Sequence, residues 1–244
     1  MKRYAHKLSI LGGMGPEATA GLYLGIIHRC QRELHAKFNS DFPPIIINSC
    51  PVPDGYMWKG FVKADVEKTL RFNVRLLENA GADFIAIPCN SVHHFLPTMR
   101  RAVRVPILSI VEETASAICA KGLRKVLLLA TKFTVNRRVY DDHLAECGIS
   151  VVKPTAREKQ MIERVIIRVE GGVRSKSDRA RVINLVNQMR KQVGIEGVVA
   201  GCTEIPLLIK ANDLTIPLFD TIDILAASAY EVIMGARRLQ ESHS

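Results

Sequence analysis

Three segments from the first half of this 244-residue chain recur in its second half, in the same order. Residues 7–15 match residues 125–133 in pattern, residues 82–97 match 195–210, and residues 105–115 match 216–226. The offsets are 118, 113 and 111 residues, so the two halves differ only by small insertions. Self-similarity of this kind indicates repeated supersecondary units. We therefore expect the chain to fold as two similar halves.

Within each half, short apolar runs alternate with longer segments of helical periodicity. The predicted strands cover residues 7–11, 45–48, 84–88, 107–110, 125–130, 149–152, 197–200 and 217–219. The predicted helices cover residues 16–31, 62–79, 94–101, 112–120, 135–147, 158–170, 178–193 and 221–239. Near-continuous apolar strands alternating with helices are typical of parallel sheets covered on both faces. We therefore predict two similar α/β/α half-domains with mostly parallel sheets, related by pseudo-twofold symmetry, with the active site in the cleft between them.

Composition and charge exclude several classes of protein. The chain is 48% hydrophobic and 24% charged, which is ordinary for a globular protein and unlike a disordered one. No apolar run approaches the roughly 18 residues that span a bilayer, and residues 1–11 lack the apolar stretch of a secretory signal. We expect a cytoplasmic protein without a membrane partner. The net charge of +10 is dispersed over many segments without interleaved aromatic residues, so we also expect no nucleic-acid partner.

Two of the six cysteines, Cys89 and Cys202, occupy equivalent positions in the two halves. Each follows a predicted strand and precedes a helical stretch, and ligands of parallel α/β sheets bind at such strand ends. A thiol at the start of a helix also ionises more readily. A stereocentre whose proton leaves one face and returns on the other needs one acid/base group on each face. Two facing thiols would supply both groups.

The other four cysteines have no counterpart in the opposite half. Six cysteines are too few for a disulfide scaffold in a chain of this length, and the absence of a CxxC pair gives no sign of a zinc site. We therefore expect these four to be small core hydrophobes. They are Cys30, Cys50, Cys119 and Cys147.

Two further motifs carry weaker signals. Glycines in GGMGP, at residues 12–16, let the backbone turn tightly before a helix whose N-terminus could hold a carboxylate, and a purely structural turn is an equal alternative. His93 and His94 follow Cys89, so a Cys–His catalytic pair is conceivable. A capping or supporting histidine is the favoured interpretation, because Pro206 and Leu207 stand at the matching positions of the second half.

ILGGMGPEATAGLY near the start, PCNSVHHF around Cys89 and AGCTEIPLL around Cys202 together resemble the aspartate/glutamate racemase family. The resemblance covers essentially the whole chain. It implies racemisation of an amino acid without a cofactor or metal, with Cys89 and Cys202 as the two acid/base residues. It also implies a cytoplasmic homodimer and two domains, residues 1–104 with 217–244 and residues 105–216. By the same resemblance, the residues that bind the amino-acid substrate are Met14, Asn90, Ser91, Thr203 and Glu204.

Two positions depart from the pattern of the aspartate-specific members. Those members carry an arginine where this chain has Gly55 and a lysine near the end of the helix at residues 158–170, where this chain has Glu170. The loss of two cations disfavours a dicarboxylate substrate. We therefore predict a neutral or basic amino acid as the substrate, unless Lys59, Lys63 or Arg168 replaces the missing charge.

Two other functions remain open from the sequence. One is a one-thiol enzyme of the same fold, such as an isomerase, a hydantoin racemase or a decarboxylase. The other is a binding protein that has lost catalysis. Two retained cysteines with polar neighbours argue against both alternatives.

Overall fold

The apolar runs of the sequence form eight short strands in the computed structural model, which describes residues 4–52 and 63–237. The strands are β1 (Leu8–Gly12), β2 (Ile45–Ser49), β3 (Phe84–Ala86), β4 (Ile107–Leu108), β5 (Lys125–Leu129), β6 (Ser150–Val152), β7 (Gly197–Ala200) and β8 (Leu218–Asp220). They pair in parallel as two four-stranded sheets, in the orders β2-β1-β3-β4 and β6-β5-β7-β8. The two orders are the same arrangement, shifted by four strands. This confirms the predicted pair of similar α/β halves.

Ten α-helices lie between the strands within the described residues. They are α1 (Pro16–Glu33), α2 (Lys63–Asn79), α3 (Leu96–Arg100), α4 (Ile110–Cys119), α5 (Lys132–Asn136), α6 (Asp141–Ala145), α7 (Ala156–Glu170), α8 (Lys176–Val193), α9 (Ile205–Leu208) and α10 (Thr221–Ile233). No helix in this part of the chain is both long and apolar enough to cross a membrane.

One predicted helix, at residues 135–147, is wrong. Two short helices, α5 and α6, replace it, and α5 ends just before Arg138. Arg138 has a φ of 56°, a left-handed conformation that interrupts a right-handed helix. Its guanidinium lies 3.4 Å from Asp141 in the first turn of α6, an ion pair that spans the break between the helices.

The chain divides into two compact units. The first comprises Met1–Glu113 with Ile222–Ser244, and the second comprises Thr114–Thr221. Each unit has a core in which sheet residues are fully buried, such as Ile10 and Ile85 in the first and Leu127 and Val198 in the second. Burial of both faces of β1, β3, β5 and β7 explains why these central strands are continuous apolar runs and not alternating ones.

The two long helices of the second unit, α7 and α8, begin at side-chain caps. The Thr155 hydroxyl accepts the amide of Glu158, whose carboxylate in turn accepts the amide of Thr155, and this reciprocal pair starts α7. Ser175 caps α8 in a similar way. Helix α8 ends at Gly194, whose φ of 71° requires glycine or a strained substitute. These signals fix the helices that pack on β5 and β7.

A disulfide joins Cys119 and Cys147 in the second unit, contrary to the expectation of two free core cysteines. Cys119 ends α4 and Cys147 lies shortly before β6, and their Cα atoms are 5.9 Å apart, within the usual bridging distance. The two cysteines are separated by 28 positions in the sequence, and no sequence pattern indicated this pairing. Cys30 is fully buried, as expected, whereas Cys50, which directly follows the edge strand β2, is only partly buried.

Candidate functional site

The glycine-rich loop of the first unit is held tightly at the carboxyl end of β1. Gly13 has a φ of 88°, and a Cβ placed there would lie 2.6 Å from the backbone of Cys50. The Thr19 hydroxyl, one turn into α1, accepts the Gly13 amide and donates to the Gly15 carbonyl, both at 2.9 Å. Pro16 is the first residue of α1, as predicted. These two hydrogen bonds hold the loop that carries Met14 in one conformation. The sequence analysis missed this role of Thr19.

Cys89 lies at the same edge of the first sheet, because β3 runs parallel to and beside β1. Cys89 is buried, and the adjacent Asn90 and Ser91 are buried with it, which is unusual for polar side chains. The loop of Met14 and the Cys89 segment therefore follow neighbouring strand ends of one sheet. This arrangement is typical of a ligand site in a parallel α/β sheet.

His93 contacts the backbone of Cys89 and the start of α4 through its two ring nitrogens. Its Nδ1 lies 2.6 Å from the Cys89 carbonyl oxygen, and its Nε2 accepts the amide of Ile110, the first residue of α4, at 3.3 Å. The ring therefore carries its proton on Nδ1, because Nε2 is the acceptor. This confirms the interpretation of a supporting histidine that caps a helix.

Cys202 occupies the equivalent place in the second unit, just after β7, the counterpart of β3 in the strand order. Its thiol donates to the Glu204 carboxylate at 2.8 Å. The Thr203 hydroxyl donates to the same carboxylate, at 3.1 and 3.2 Å. All three side chains are buried. The structure thus brings together these three predicted site residues by direct hydrogen bonds.

Tyr140 is a buried neighbour of Cys202 that the sequence analysis missed. Its side chain is fully buried, and burial raises the pKa of its phenol well above the usual range. Along the chain, Tyr140 lies between α5 and α6 and directly precedes α6. Since a continuous helix was predicted there, nothing in the sequence distinguished Tyr140 from a surface residue.

The residues considered for substrate specificity lie in different surroundings. Glu170 is the last residue of α7 and is exposed. Arg168 binds Asp178 through two hydrogen bonds of 2.8 and 2.6 Å, and Lys63 lies 3.5 Å from Glu67. Gly55 and Lys59 lie outside the described residues.

A candidate metal centre is not found among the described residues, since no three His, Cys, Asp or Glu side chains cluster in a way that could hold an ion. The polar groups at the two strand ends are thiols, hydroxyls, amides and one carboxylate. Such groups can bind a small polar molecule and move protons.

Comparison with known proteins identifies the family to which the chain belongs. The sequence pattern of the Asp/Glu/Hydantoin racemase family matches residues 11–229. The broad-specificity amino-acid racemase RacX of Bacillus subtilis (strain 168) is 28% identical over 228 residues, which cover 93% of this chain and 98% of the relative. The chain therefore belongs to the Asp/Glu/hydantoin racemase family. It is an amino-acid racemase of this family, and so an isomerase.

Solved structures share the same architecture. An aspartate racemase homologue from Pyrococcus horikoshii OT3 is 33% identical, with a TM-score of 0.80 over 94% of this chain and 99% of the other. Aspartate racemase from Picrophilus torridus is 24% identical, with a TM-score of 0.78 over 97% of this chain and 96% of the other, a likeness of fold alone.

Proposed function

We propose that the protein racemises a free amino acid, with Cys89 and Cys202 as acid and base on opposite faces of the α carbon. The observation that carries this proposal is the equivalence of β3 and β7, each followed within three residues by a buried cysteine. The two domains, residues 1–104 with 217–244 and residues 105–216, would each supply one thiol. Equivalent strand ends in duplicated domains support equivalent chemical roles.

The reaction needs one thiolate and one thiol at the start. The thiolate takes the α proton and becomes a thiol, and the opposite thiol gives its proton to the other face of the carbanion and becomes a thiolate. The substrate inverts and no proton is gained or lost overall. The next substrate of the opposite hand restores the first state.

The substrate's α-carboxylate and amino group would be held by Met14, Asn90, Ser91, Thr203 and Glu204. Support comes from the position of Asn90 and Ser91, which directly follow Cys89 beyond the carboxyl end of β3 and carry groups that donate and accept hydrogen bonds. The fixed backbone of the glycine-rich loop presents amides at the start of α1, where a carboxylate is stabilised.

The substrate we propose is a neutral or basic amino acid, with aspartate and glutamate as poor substrates. Gly55 supplies no cation and Glu170 ends α7 with a negative charge. Arg168, a candidate replacement, is engaged by Asp178. The similarity to a broad-specificity racemase supports a substrate outside the dicarboxylates. The alternative of a one-thiol enzyme, such as an isomerase, a hydantoin racemase or a decarboxylase, needs only one of the two cysteines. The equivalent positions of Cys89 and Cys202 favour a mechanism that uses both.

Neither pyridoxal phosphate nor a metal takes part in the proposed reaction, because two thiols suffice for the proton transfers.

We also propose that the protein is a homodimer. Edge strand β2 and helix α2 of the first unit expose apolar side chains, namely Ile46, Ile47, Phe72 and Leu76. A cytoplasmic location stays a prediction from the sequence.

The direct test is a chiral assay of the common amino acids with purified protein, after dialysis against a chelator and without pyridoxal phosphate. We expect D-enantiomer to form from at least one neutral or basic L-amino acid. Activity that depends on added pyridoxal phosphate or zinc, or the absence of racemisation with every amino acid, would contradict the proposal. Light scattering of the same sample gives the oligomeric state.

A further inference from the structure

The Cys202 thiol and the Glu204 carboxylate form a hydrogen-bonded pair in a buried setting. The Sγ and Oε2 atoms are 2.8 Å apart, a short distance for sulfur as a donor, and only 8% and 6% of the two residues is exposed. The Thr203 hydroxyl donates to both carboxylate oxygens and orients the group toward the thiol. The pair is therefore fixed before any substrate binds.

Two negative charges at this distance in a buried site would repel each other strongly. When both groups of such a pair are acids, one of them retains a proton, as in a dyad of neighbouring carboxylates. A thiolate at Cys202 is therefore compatible with a protonated Glu204, and an ionised Glu204 with a thiol. In the observed hydrogen bond, one proton lies between the Cys202 sulfur and the Glu204 carboxylate oxygen.

We propose that Glu204 is the acid/base partner of Cys202 and that the pair acts as one proton-holding unit in racemisation. This inference deepens the proposed function and rests on it. Resemblance alone made Glu204 a ligand of the substrate, whereas its hydrogen bond with the thiol gives it a part in the proton transfer itself.

The proton balance of the pair is simple. At rest, Cys202 is a thiol beside a carboxylate. When Cys202 acts as base, its proton moves to Glu204 and leaves a thiolate that accepts a hydrogen bond from the carboxylic acid. The thiolate then takes the α proton, so the pair holds two protons, while the opposite thiol gives one proton to the substrate. In the reverse direction Cys202 gives its proton to the carbanion, and Glu204 returns the other to sulfur.

The residue two positions after the cysteine differs between the two units. Two residues after Cys89 stands Ser91, a hydroxyl that does not ionise in this range, where Cys202 is followed by Glu204. The two thiols of the reaction are therefore chemically unequal, although their places in the two sheets are equivalent.

The test is the reactivity of the cysteines in the substrate-free protein. Wild type, Glu204→Gln and a matched control, Glu163→Gln, are treated with iodoacetamide across a pH series, and the peptides carrying Cys202 and Cys89 are quantified by mass spectrometry. Glu163 is also a buried carboxylate of the second unit, but it pairs with Lys132 at 3.2 Å. We expect Cys202 in Glu204→Gln to react about tenfold faster at neutral pH, the equivalent of one pH unit. Cys89 should keep its rate, and so should both cysteines of the control.

Racemisation by Glu204→Gln should fall about a hundredfold in kcat, as is typical on loss of an acid/base group. A raised KM with unchanged Cys202 reactivity would show a substrate ligand only and overturn the inference. If Glu204→Gln does not fold, Glu204→Asp moves the carboxylate back by one methylene, and its Cys202 should also react faster than in wild type. Equal rates would overturn the inference. Because alkylation needs no substrate, a faster Cys202 in a protein that racemises nothing would refute the proposed function and leave proton sharing intact.

Discussion

The ring of His93 joins the carbonyl oxygen of Cys89 to the first amide of α4, and so connects the cysteine backbone to a helix that begins 17 residues after His93. Both ring nitrogens are used in these contacts, so the imidazole is not the base that activates the thiol. It positions Cys89. In the second unit, Pro206 stands at the position that matches His93, and the Cys202 thiol is hydrogen-bonded to the Glu204 carboxylate.

Loss of the His93 bridge is expected to displace Cys89 and lower kcat. His93→Phe keeps the ring volume but removes both hydrogen bonds, and a displacement of about 1 Å at a reacting group can cost a hundredfold in rate. KM should change little, since the substrate ligands remain. His93→Gln, which can both donate and accept, should recover part of the rate. The matched control is His94→Phe, at the neighbouring histidine. Equal losses of kcat in the His93 and His94 variants would contradict a positioning role.

Substrate preference is expected to follow the charges at positions 55 and 170. In wild type, kcat/KM for lysine or a neutral amino acid should exceed that for aspartate by at least about a hundredfold, since an unpaired buried carboxylate costs several kcal/mol. Gly55→Arg with Glu170→Lys should narrow this ratio by raising activity on aspartate. If aspartate leads by tenfold or more in wild type, a different cation, such as Lys59 or Lys63, holds its side chain.

The disulfide between Cys119 and Cys147 is expected to stabilise the folded chain. It closes a loop of 28 residues, and constraint of the unfolded chain by such a loop contributes about 2–4 kcal/mol. Reduction, or the double variant Cys119→Ser with Cys147→Ser, should lower the free energy of unfolding in urea by this amount. Cys30→Ala, which keeps the disulfide, is the control for loss of a buried sulfur, and reductant should lower its stability as much as it lowers that of wild type. A wild-type midpoint that is the same with and without reductant would contradict the disulfide's contribution.

The Arg168–Asp178 pair is expected to make stability depend on pH. The hydrogen bond from Arg168 lowers the pKa of Asp178, so the folded state favours the ionised carboxylate. Its stabilisation is present above the ordinary carboxyl pKa of about 4 and disappears as pH falls through the lowered value. Asp178→Asn should lower the free energy of unfolding by about 1–2 kcal/mol at pH 7. The expected loss is no larger because Arg168 is partly exposed and water screens its charge.

The pH series separates this effect from a general loss of packing. The difference between wild type and Asp178→Asn should shrink as pH falls below the ordinary carboxyl pKa of about 4, and should vanish below the lowered pKa of Asp178 in the folded state. Asp142→Asn, at an exposed carboxylate of α6, should match wild type at every pH. A stability difference that stays constant down to pH 2 would contradict the ion pair.

The fold could be predicted largely from the sequence because parallel strands buried on both faces are continuous apolar runs. Gly197–Ala200 has the bounds predicted for it, and the other strands differ by a residue or two at their ends. The helix predicted over residues 135–147 failed because a single left-handed residue, Arg138, breaks a periodic pattern without glycine or proline. Backbone conformation at one such position is set by tertiary contacts, which periodicity does not record.

The residues of the candidate site could be predicted from the sequence, but the contacts between their side chains could not. The repeat aligned Cys89 with Cys202, and the neighbouring polar residues followed from it. The hydrogen bond between the Cys202 thiol and Glu204 depends on rotamers, and the burial of Tyr140 depends on the break between two helices. The partner of Cys119 is 28 residues away, so no local pattern could reveal it.

The central claim is that each face of the substrate is served by its own thiol, and single-cysteine variants test it most directly. Cys89→Ala and Cys202→Ala are incubated with each enantiomer of the preferred amino acid in deuterated water, and optical rotation and deuterium content are followed together. The account predicts folded variants that do not racemise, in which deuterium enters only the enantiomer that faces the remaining thiol. Substantial racemisation by either variant, with loss of optical rotation in step with deuterium uptake, would contradict it.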